Sequence, residues 1–128
     1  MAAPLLIDTD VAIDYLRGHA DAVTYIESLS GNNLLSAISV AELFAGVRDG
    51  AERTALESFV RAFQVVPIDT AIAERGGLFR RDFGKSHGVG LADALIAASA
   101  ENRGATLVTL NAKHFPMVDS PHVPYRKP

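Results

Sequence analysis

Short apolar runs alternate along the chain with segments whose apolar residues recur every three or four positions. Leu5-Leu6-Ile7, Leu34 to Ala37, Val65-Val66 and Thr106 to Thr109 have the length and character of buried strands, the third closed by Pro67. Between them, Val11 to Arg17 and Ala22 to Leu29 read as helices, with Gly18 and Gly31 as stops. Val40, Leu43, Phe44 and Val47 fall at i, i+3, i+4 and i+7, one helix face, and Leu56, Phe59, Val60 and Phe63 repeat the spacing. Thr70 to Phe83 predicts a longer helix with Ile72, Gly76, Phe79 and Phe83 on one side. Leu91 to Ala100 is apolar nearly all round, which predicts a central helix or one covered by a partner. A Pro-rich tail begins at Pro116. Strands alternating with helices predict an α/β fold: a central parallel sheet of four or five strands with helices on both faces. Such sheets bind ligands outside the carboxyl ends of their strands, at a topological switch point.

Composition narrows the class. The chain has 128 residues, 48% hydrophobic and 21% charged, and reads as a single domain, 1–128, with 117–128 as a C-terminal tail. At this size roughly two-thirds of the unfolded chain's surface can be buried without a disulfide or structural metal. There is no cysteine, which excludes a thiol nucleophile, a Cys-ligated zinc site and a disulfide framework, and is compatible with a cytoplasmic location. The apolar run before Asp8 is far shorter than a signal-peptide core, and no run reaches membrane-spanning length. The net charge of −3 does not advertise nucleic-acid binding. An acidic total still permits it where carboxylates gather in one cleft and basic residues line the rim.

The acids change the picture most. Asp8 ends the first strand, Glu42 is expected in the first turn of the helix after the second, and Asp93 opens the apolar helix before the fourth. Thr109 and Asn111 lie at and just past the fourth strand's end. Each acid has a plain structural reading: Ser39-Val40-Ala41-Glu42 fits a capping box, Asp93 suits a helix N-terminus, and Asp8 could close a turn with Asp10 as the next N-cap. Jointly they read otherwise. Asp93 is the one Asp, Glu, Lys or Arg between Lys85 and Glu101, and Asp8 follows three aliphatic residues. Two carboxylates about 5 Å apart repel by roughly 3 kcal/mol at an effective dielectric near 20, so three gathered acids call for a cation or a proton. Oxygen-only donors match magnesium or manganese rather than zinc.

Other polar residues carry weaker signals. Arg75, Arg80, Arg81, Lys85 and His87 form a basic stretch on the long helix, either a solvated face or a rail for an RNA backbone. His19, His114 and His122 are expected at the surface. Tyr15, Phe44, Phe59, Phe63 and Phe79 fall on apolar faces as core rather than base-stacking residues. Gly84, Gly88 and Gly90 are expected to form a turn before the Asp93 helix.

At these residues the chain resembles the PIN domain, and within it the VapC toxins of bacterial toxin–antitoxin pairs. The resemblance is carried by Leu6-Ile7-Asp8-Thr9-Asp10-Val11, Ser39-Val40-Ala41-Glu42-Leu43-Phe44-Ala45-Gly46, Leu91-Ala92-Asp93-Ala94-Leu95-Ile96-Ala97-Ala98 and Leu107-Val108-Thr109-Leu110-Asn111-Ala112-Lys113-His114-Phe115. It runs from Leu5 to about Val118. The resemblance implies a PIN-like parallel sheet and magnesium- or manganese-dependent endoribonuclease activity. It maps the family's three acids onto Asp8, Glu42 and Asp93, and a nearby polar position onto Thr9 or Asp10. Where relatives often carry another acid after the last strand, this chain has Asn111 and His114. The resemblance also implies an RNA substrate, a homodimer, and inhibition by a VapB-type antitoxin that lays a helix in an apolar groove and inserts a basic side chain among the acids.

Two other enzyme classes share part of the pattern. Asp8-Thr9-Asp10-Val11 resembles the first motif of haloacid-dehalogenase-type phosphatases, which want Thr or Val where Ala12 stands and a later paired-acid motif absent here. A receiver domain wants adjacent early acids and an Asp where this chain has Ser36. A PIN-like fold kept as an inactive binding module is the remaining alternative.

Overall fold

The computed structural model describes residues 3–127; Met1, Ala2 and Pro128, at the ends of the expected domain, lie outside the described residues. Its elements run β1 (Leu5–Ile7), α1 (Thr9–Leu16), α2 (Ala20–Glu27), β2 (Asn33–Ser36), α3 (Ala37–Ala45), α4 (Ala51–Arg61), β3 (Gln64–Val66), α5 (Thr70–His87), α6 (Leu91–Asn102) and β4 (Thr106–Val108), then a 3₁₀ turn at Ala112–His114. The four strands form one parallel sheet in the order β3-β2-β1-β4. His122 of the tail adds a parallel bridge to Val108 on the outer side of β4. From β1 the chain builds outward through β2 and β3, then crosses back to place β4 on the other flank. The switch point therefore lies between β1 and β4, where Asp8 emerges.

The short strands divide their side chains between two cores. Leu6, Leu34 and Leu107 face one cluster with Ile72, Phe79 and Ile96 of α5 and α6. Their neighbours Ile7, Leu35 and Val108 face the other, with Val11, Leu43 and Phe59 from α1, α3 and α4. Two-residue alternation thus lets three-residue strands feed both faces. The apolar α6 is interior: Ala94 and the run from Ile96 to Ala100 are buried, and of its apolar residues only the first, Leu91, is strongly exposed. Its all-round apolarity is consumed by the sheet on one side and α5 on the other.

Several boundaries differ from expectation. α3 begins at Ala37, capped by the Ser36 hydroxyl, which accepts from the Ile38 N–H at 3.3 Å. Ser39 is therefore inside the helix, and the capping box with Glu42 is not formed; Glu42 sits in the second turn. Asp8, not Asp10, is the N-cap of α1, because the helix follows β1 with no intervening turn. α5 continues through Gly84 to His87 and ends at Gly88, whose φ of 64° is the left-handed conformation that stops a helix. Gly84 therefore belongs to the helix, while Gly90 caps α6.

Gly76 sets the spacing of α5 and α6. A Cβ there would stand 2.6 Å from Leu95 Cδ2 and 3.3 Å from Leu95 Cα. Gly76→Ala gains about 1 kcal/mol of helix propensity but forces these packed helices apart, a cost of roughly 1–3 kcal/mol. We expect a net loss of stability and a melting temperature lower by a few degrees. An unchanged or higher melting point would mean the two helices tolerate a wider approach.

Candidate active site

β1 delivers Asp8 beside the residue that follows β4. Ile7 pairs in register with Val108, and the Asp8 N–H donates to the Val108 carbonyl at 2.8 Å, so Asp8 and Thr109 stand together. The buried Thr109 hydroxyl donates to Asp8 Oδ2 at 2.8 Å, and the Thr9 N–H donates to Asp8 Oδ1 at 2.8 Å. Asp10 is held by the Leu110 N–H at 3.0 Å and the Val11 N–H at 2.7 Å. Across the cleft, the Thr9 hydroxyl donates to Glu42 Oε1 at 2.7 Å and lies 2.8 Å from the buried Ser39 hydroxyl. Asp93, on the first turn of α6, is about one-third exposed, with the His114 imidazole 3.8 Å away. Ser36 and Ser99, both fully buried, bond at 3.0 Å and tie the start of α3 to α6, setting the separation of Glu42 and Asp93.

The acids strain against one another electrostatically. Burial, reinforced by the negative charges of Asp10 and Asp93, pushes the Asp8 carboxyl up to about 8, against the stabilising bonds from Thr109 and Thr9. Burial likewise raises Asp10. Burial raises Asp93 too, helped by Glu42 and Asp10 and opposed by His114. Four carboxylates thus share one field at the sheet's switch point, and the fold holds them there at a cost.

A divalent cation is the natural counter-charge, and the donor set can be tested for one. The carboxylates and hydroxyls offer hard oxygen donors, which suit magnesium or manganese. The structure adds one nitrogen to the oxygen-only set expected from the sequence, the His114 imidazole 3.8 Å from Asp93. Among the described residues, no three Asp, Glu or His side chains already stand close enough to clasp one ion together. That spacing fits a cation that keeps several waters and takes only one or two direct carboxylates, the usual mode for magnesium. It does not fit a closed, all-protein cage.

The other predicted residues are distributed unevenly. Thr9, Asp10 and Thr109 are inside the cluster. Asn111 enters through its backbone N–H, which donates to Thr109 Oγ1 at 3.0 Å, while the residue itself is exposed. Arg75 lies at the far end of α6, paired with Glu101 at 2.8 Å and stacked 4.3 Å over Phe79. Glu101 is eight residues beyond Asp93, or about 12 Å along the helix. Arg81 pairs with Asp82 at 2.8 Å. Arg80 and Lys85 are exposed on α5, and Lys85, near its end, lies towards the Asp93 end of the helix pair. Sequence reasoning overlooked Ser39 as a site residue, although the Ser-x-x-Glu spacing marked it. The two share a helix face, and Thr9 rather than a backbone N–H joins them. His114 is exposed, as its sequence context predicts, yet it adjoins Asp93 because the 3₁₀ turn folds back towards α6.

Comparison with known proteins gives the same frame. The family model for the PIN domain matches residues 5–120. Ribonuclease VapC10 of Mycobacterium tuberculosis is 39% identical over 127 residues, covering 97% of this chain and 95% of that protein. Ribonuclease VapC19 of the same organism is 40% identical over 124 residues, covering 94% and 98%. Among solved structures, a toxin–antitoxin complex from Klebsiella pneumoniae superposes with a TM-score of 0.83 at 27% identity, over 96% of this chain and 99% of that one. FitAcB from Neisseria gonorrhoeae gives 0.74 at 29% identity, over 94% and 97%. A sheet ordered β3-β2-β1-β4 with its acids at the switch point, matched along nearly its whole length by these relatives, belongs to the PIN domain family, in its VapC ribonuclease branch.

Proposed function

We infer that this chain is an endoribonuclease that hydrolyses RNA phosphodiester bonds with magnesium or manganese held at Asp8, Glu42 and Asp93, and that it is the toxin of a toxin–antitoxin pair. The observation that carries this reading is the gathering of Asp8, Asp10, Glu42 and Asp93 at the sheet's switch point, where Thr9 joins Asp8 to Glu42 and the Thr109–Leu110 corner holds Asp8 and Asp10. A bound cation offsets so many like charges. A bound ion would supply Lewis acidity: it would polarise the phosphate, make water a better nucleophile and offset charge on the attacking and leaving oxygens. The chain's own residues do the rest. Thr109 and the Thr9 N–H fix the two oxygens of Asp8, leaving each a free lone pair. Thr9 steers Glu42, and Asp93, more open than the buried Asp8, is a carboxylate placed to take a proton from water. His114, 3.8 Å from Asp93, is the imidazole that borders the cleft there. Lys85, with Arg80 and Arg81, is the surface best placed to hold the RNA backbone, a contact that gives affinity rather than sequence choice.

The partner reading has a structural counterpart. A groove of about 590 Å³ runs between α1, α3 and α4, floored by Ile13, Leu43, Val47 and Leu56 and reaching Glu42 at one end. An amphipathic antitoxin helix of the VapB type fits that chemistry, with a basic side chain reaching the acids. Homodimer formation rests on the resemblance, with exposed Leu78 and Leu91 as the apolar contacts on offer. Among the described residues no helix is long and apolar enough to cross a membrane.

The direct test is incubation of the purified protein with a mixed RNA pool, with magnesium and with a chelator. Metal-dependent internal cuts are expected; intact RNA under both conditions would leave an inactive binding module. Asn111 refines the metal question. Asn111→Ala is expected to raise the magnesium concentration needed for half-maximal activity while leaving cleavage measurable. Asn111→Asp should lower that concentration, because a charged oxygen binds a hard cation better than an amide. Identical magnesium midpoints for all three proteins would remove Asn111 from the site.

A further inference from the structure

The tail beyond the 3₁₀ turn is fastened by a part-buried polar network, centred on the buried Asp14, outside the acid cluster. Asp14, on α1 and only 6% exposed, receives the Tyr125 hydroxyl on Oδ2 at 2.8 Å and the Lys127 ammonium on Oδ1 at 2.7 Å. The His19 ring stacks on Tyr125 with centroids 5.4 Å apart, and the His19 N–H donates to the Asp14 carbonyl at 2.9 Å. Between this grip and the turn, the tail pairs with β4. The His122 N–H donates to the Leu107 carbonyl at 2.8 Å, and the Thr109 N–H donates to the His122 carbonyl at 3.0 Å. The next groups along β4 are the ones that hold the acids: the Thr109 hydroxyl on Asp8 and the Leu110 N–H on Asp10.

We propose that Tyr125 and Lys127, by gripping Asp14, act as a clasp that positions the Asp8 and Asp10 carboxylates for a divalent cation through β4 and the Thr109–Leu110 corner. The connection is a closed ring. Asp10 and Asp14 lie one turn apart on α1, so α1 carries both the acid being positioned and the anchor of the strand that positions it. β4 is an edge strand, and without the tail its outer backbone groups would face solvent and its corner would be free to shift. An error of about 1 Å at Thr109 would matter, because the oxygens that receive its hydrogen bond also face the metal. Lys127 has a second effect: Asp14 stands one turn from Asp10 on α1, and the ammonium at 2.7 Å balances the Asp14 charge. These are positioning residues, since neither Tyr125 nor Lys127 touches the cleft.

The inference rests on the metal-dependent nuclease reading, and its test separates the two. The full-length double variant Tyr125→Phe/Lys127→Ala is compared with wild type, with Lys127→Arg as the conservative rescue and Gly76→Ala as a variant destabilised elsewhere. Amide hydrogen exchange is followed at Thr109 and Leu110 in metal-free protein, and Mn²⁺ binding is measured by electron paramagnetic resonance without RNA. In the double variant, exchange at Thr109 and Leu110 should accelerate while amides in the middle of α6 keep their protection, and the Mn²⁺ Kd should rise roughly tenfold, the usual effect of losing an outer-shell partner. Lys127→Arg should behave as wild type, and Gly76→Ala should melt earlier yet bind Mn²⁺ normally below its transition. Wild-type Mn²⁺ affinity in the double variant, or unchanged exchange at Thr109 and Leu110, overturns the clasp while leaving the nuclease reading intact. A wild-type protein that takes up no Mn²⁺ overturns the metal-dependent reading and the clasp together.

Discussion

Asp8→Asn, Glu42→Gln and Asp93→Asn should each abolish RNA cleavage, with a loss on the order of a thousandfold or more, and should each relieve growth arrest on expression. Lewis-acid stabilisation by a bound ion is worth several kcal/mol, and each 1.36 kcal/mol is tenfold in rate. Folding should survive in all three. Glu42→Gln keeps a carbonyl oxygen for the Thr9 hydroxyl. Asp93→Asn changes a group about one-third exposed whose neighbour, the His114 ring at 3.8 Å, is beyond hydrogen-bond distance. Asp8→Asn is the most demanding, because the Thr9 N–H and the Thr109 hydroxyl both donate to this carboxylate and an amide has only one oxygen. The Thr109 hydroxyl has an alternative acceptor, since Asp10 Oδ2 lies 3.5 Å from it, and it can then accept from the new amide. In chelator-treated protein above about pH 8 all three variants should melt no earlier than wild type, since one repelling charge is gone. Full cleavage by a folded Glu42→Gln or Asp93→Asn variant would sink the assignment.

The metal-free protein should lose stability as pH rises from about 5 to 8.5, and Mn²⁺ should restore it at the alkaline end. The sign follows from the acids. In the folded state burial and like charges raise Asp8 to about 8 and raise Asp10 and Asp93 above the ordinary carboxylate range. The unfolded chain releases those protons near pH 4, so between these limits the native state binds more protons than the unfolded state. The stabilisation is complete below the unfolded value and disappears as pH passes the folded one. Asp14 runs the other way, because Tyr125 and Lys127 hold its carboxyl low, but its effect falls below pH 4 and outside this window. A loss of a few kcal/mol, on the order of 10 °C in melting temperature, is expected. The slope should flatten in Asp8→Asn, whose buried group cannot ionise. Melting curves in chelator that stay level or climb between pH 5 and 8 would show that the cluster is not repulsive.

Much of the architecture is legible in the sequence. The four apolar runs became the four strands, and the period-3.6 faces became helices, because alternation and helical spacing are local consequences of burying one face. Asp8 at the end of β1 and Asp93 on the first turn of α6 were placeable for the same reason: their positions follow from where an element stops or starts. Boundaries shifted where two signals competed locally. Ser36 and Ser39 can both cap a helix, and the choice fell on Ser36 because β2 runs straight into α3.

Long-range bonding decided the rest, and single-chain patterns carry no record of it. Thr9 joins Glu42 across 33 residues and Thr109 joins Asp8 across 101. Neither pairing has a sequence period, because parallel strands bring distant segments into register through crossovers. Arg75 looked like part of a basic rail because charge was counted along the chain. Antiparallel packing of α5 on α6 carried it to the end opposite Asp93 and gave it Glu101. The tail read as a Pro-rich appendage, and its order comes from Asp14, a residue with no local mark, whose buried charge needed a partner and found Lys127 at the other end of the sequence. The sequence by itself determined the elements and which acids stand at the carboxyl edge of the sheet, since burial acts through local periodicity. Only the tertiary structure decided which hydroxyls, amides and cations hold those acids in place, since that depends on contacts between residues far apart in the chain.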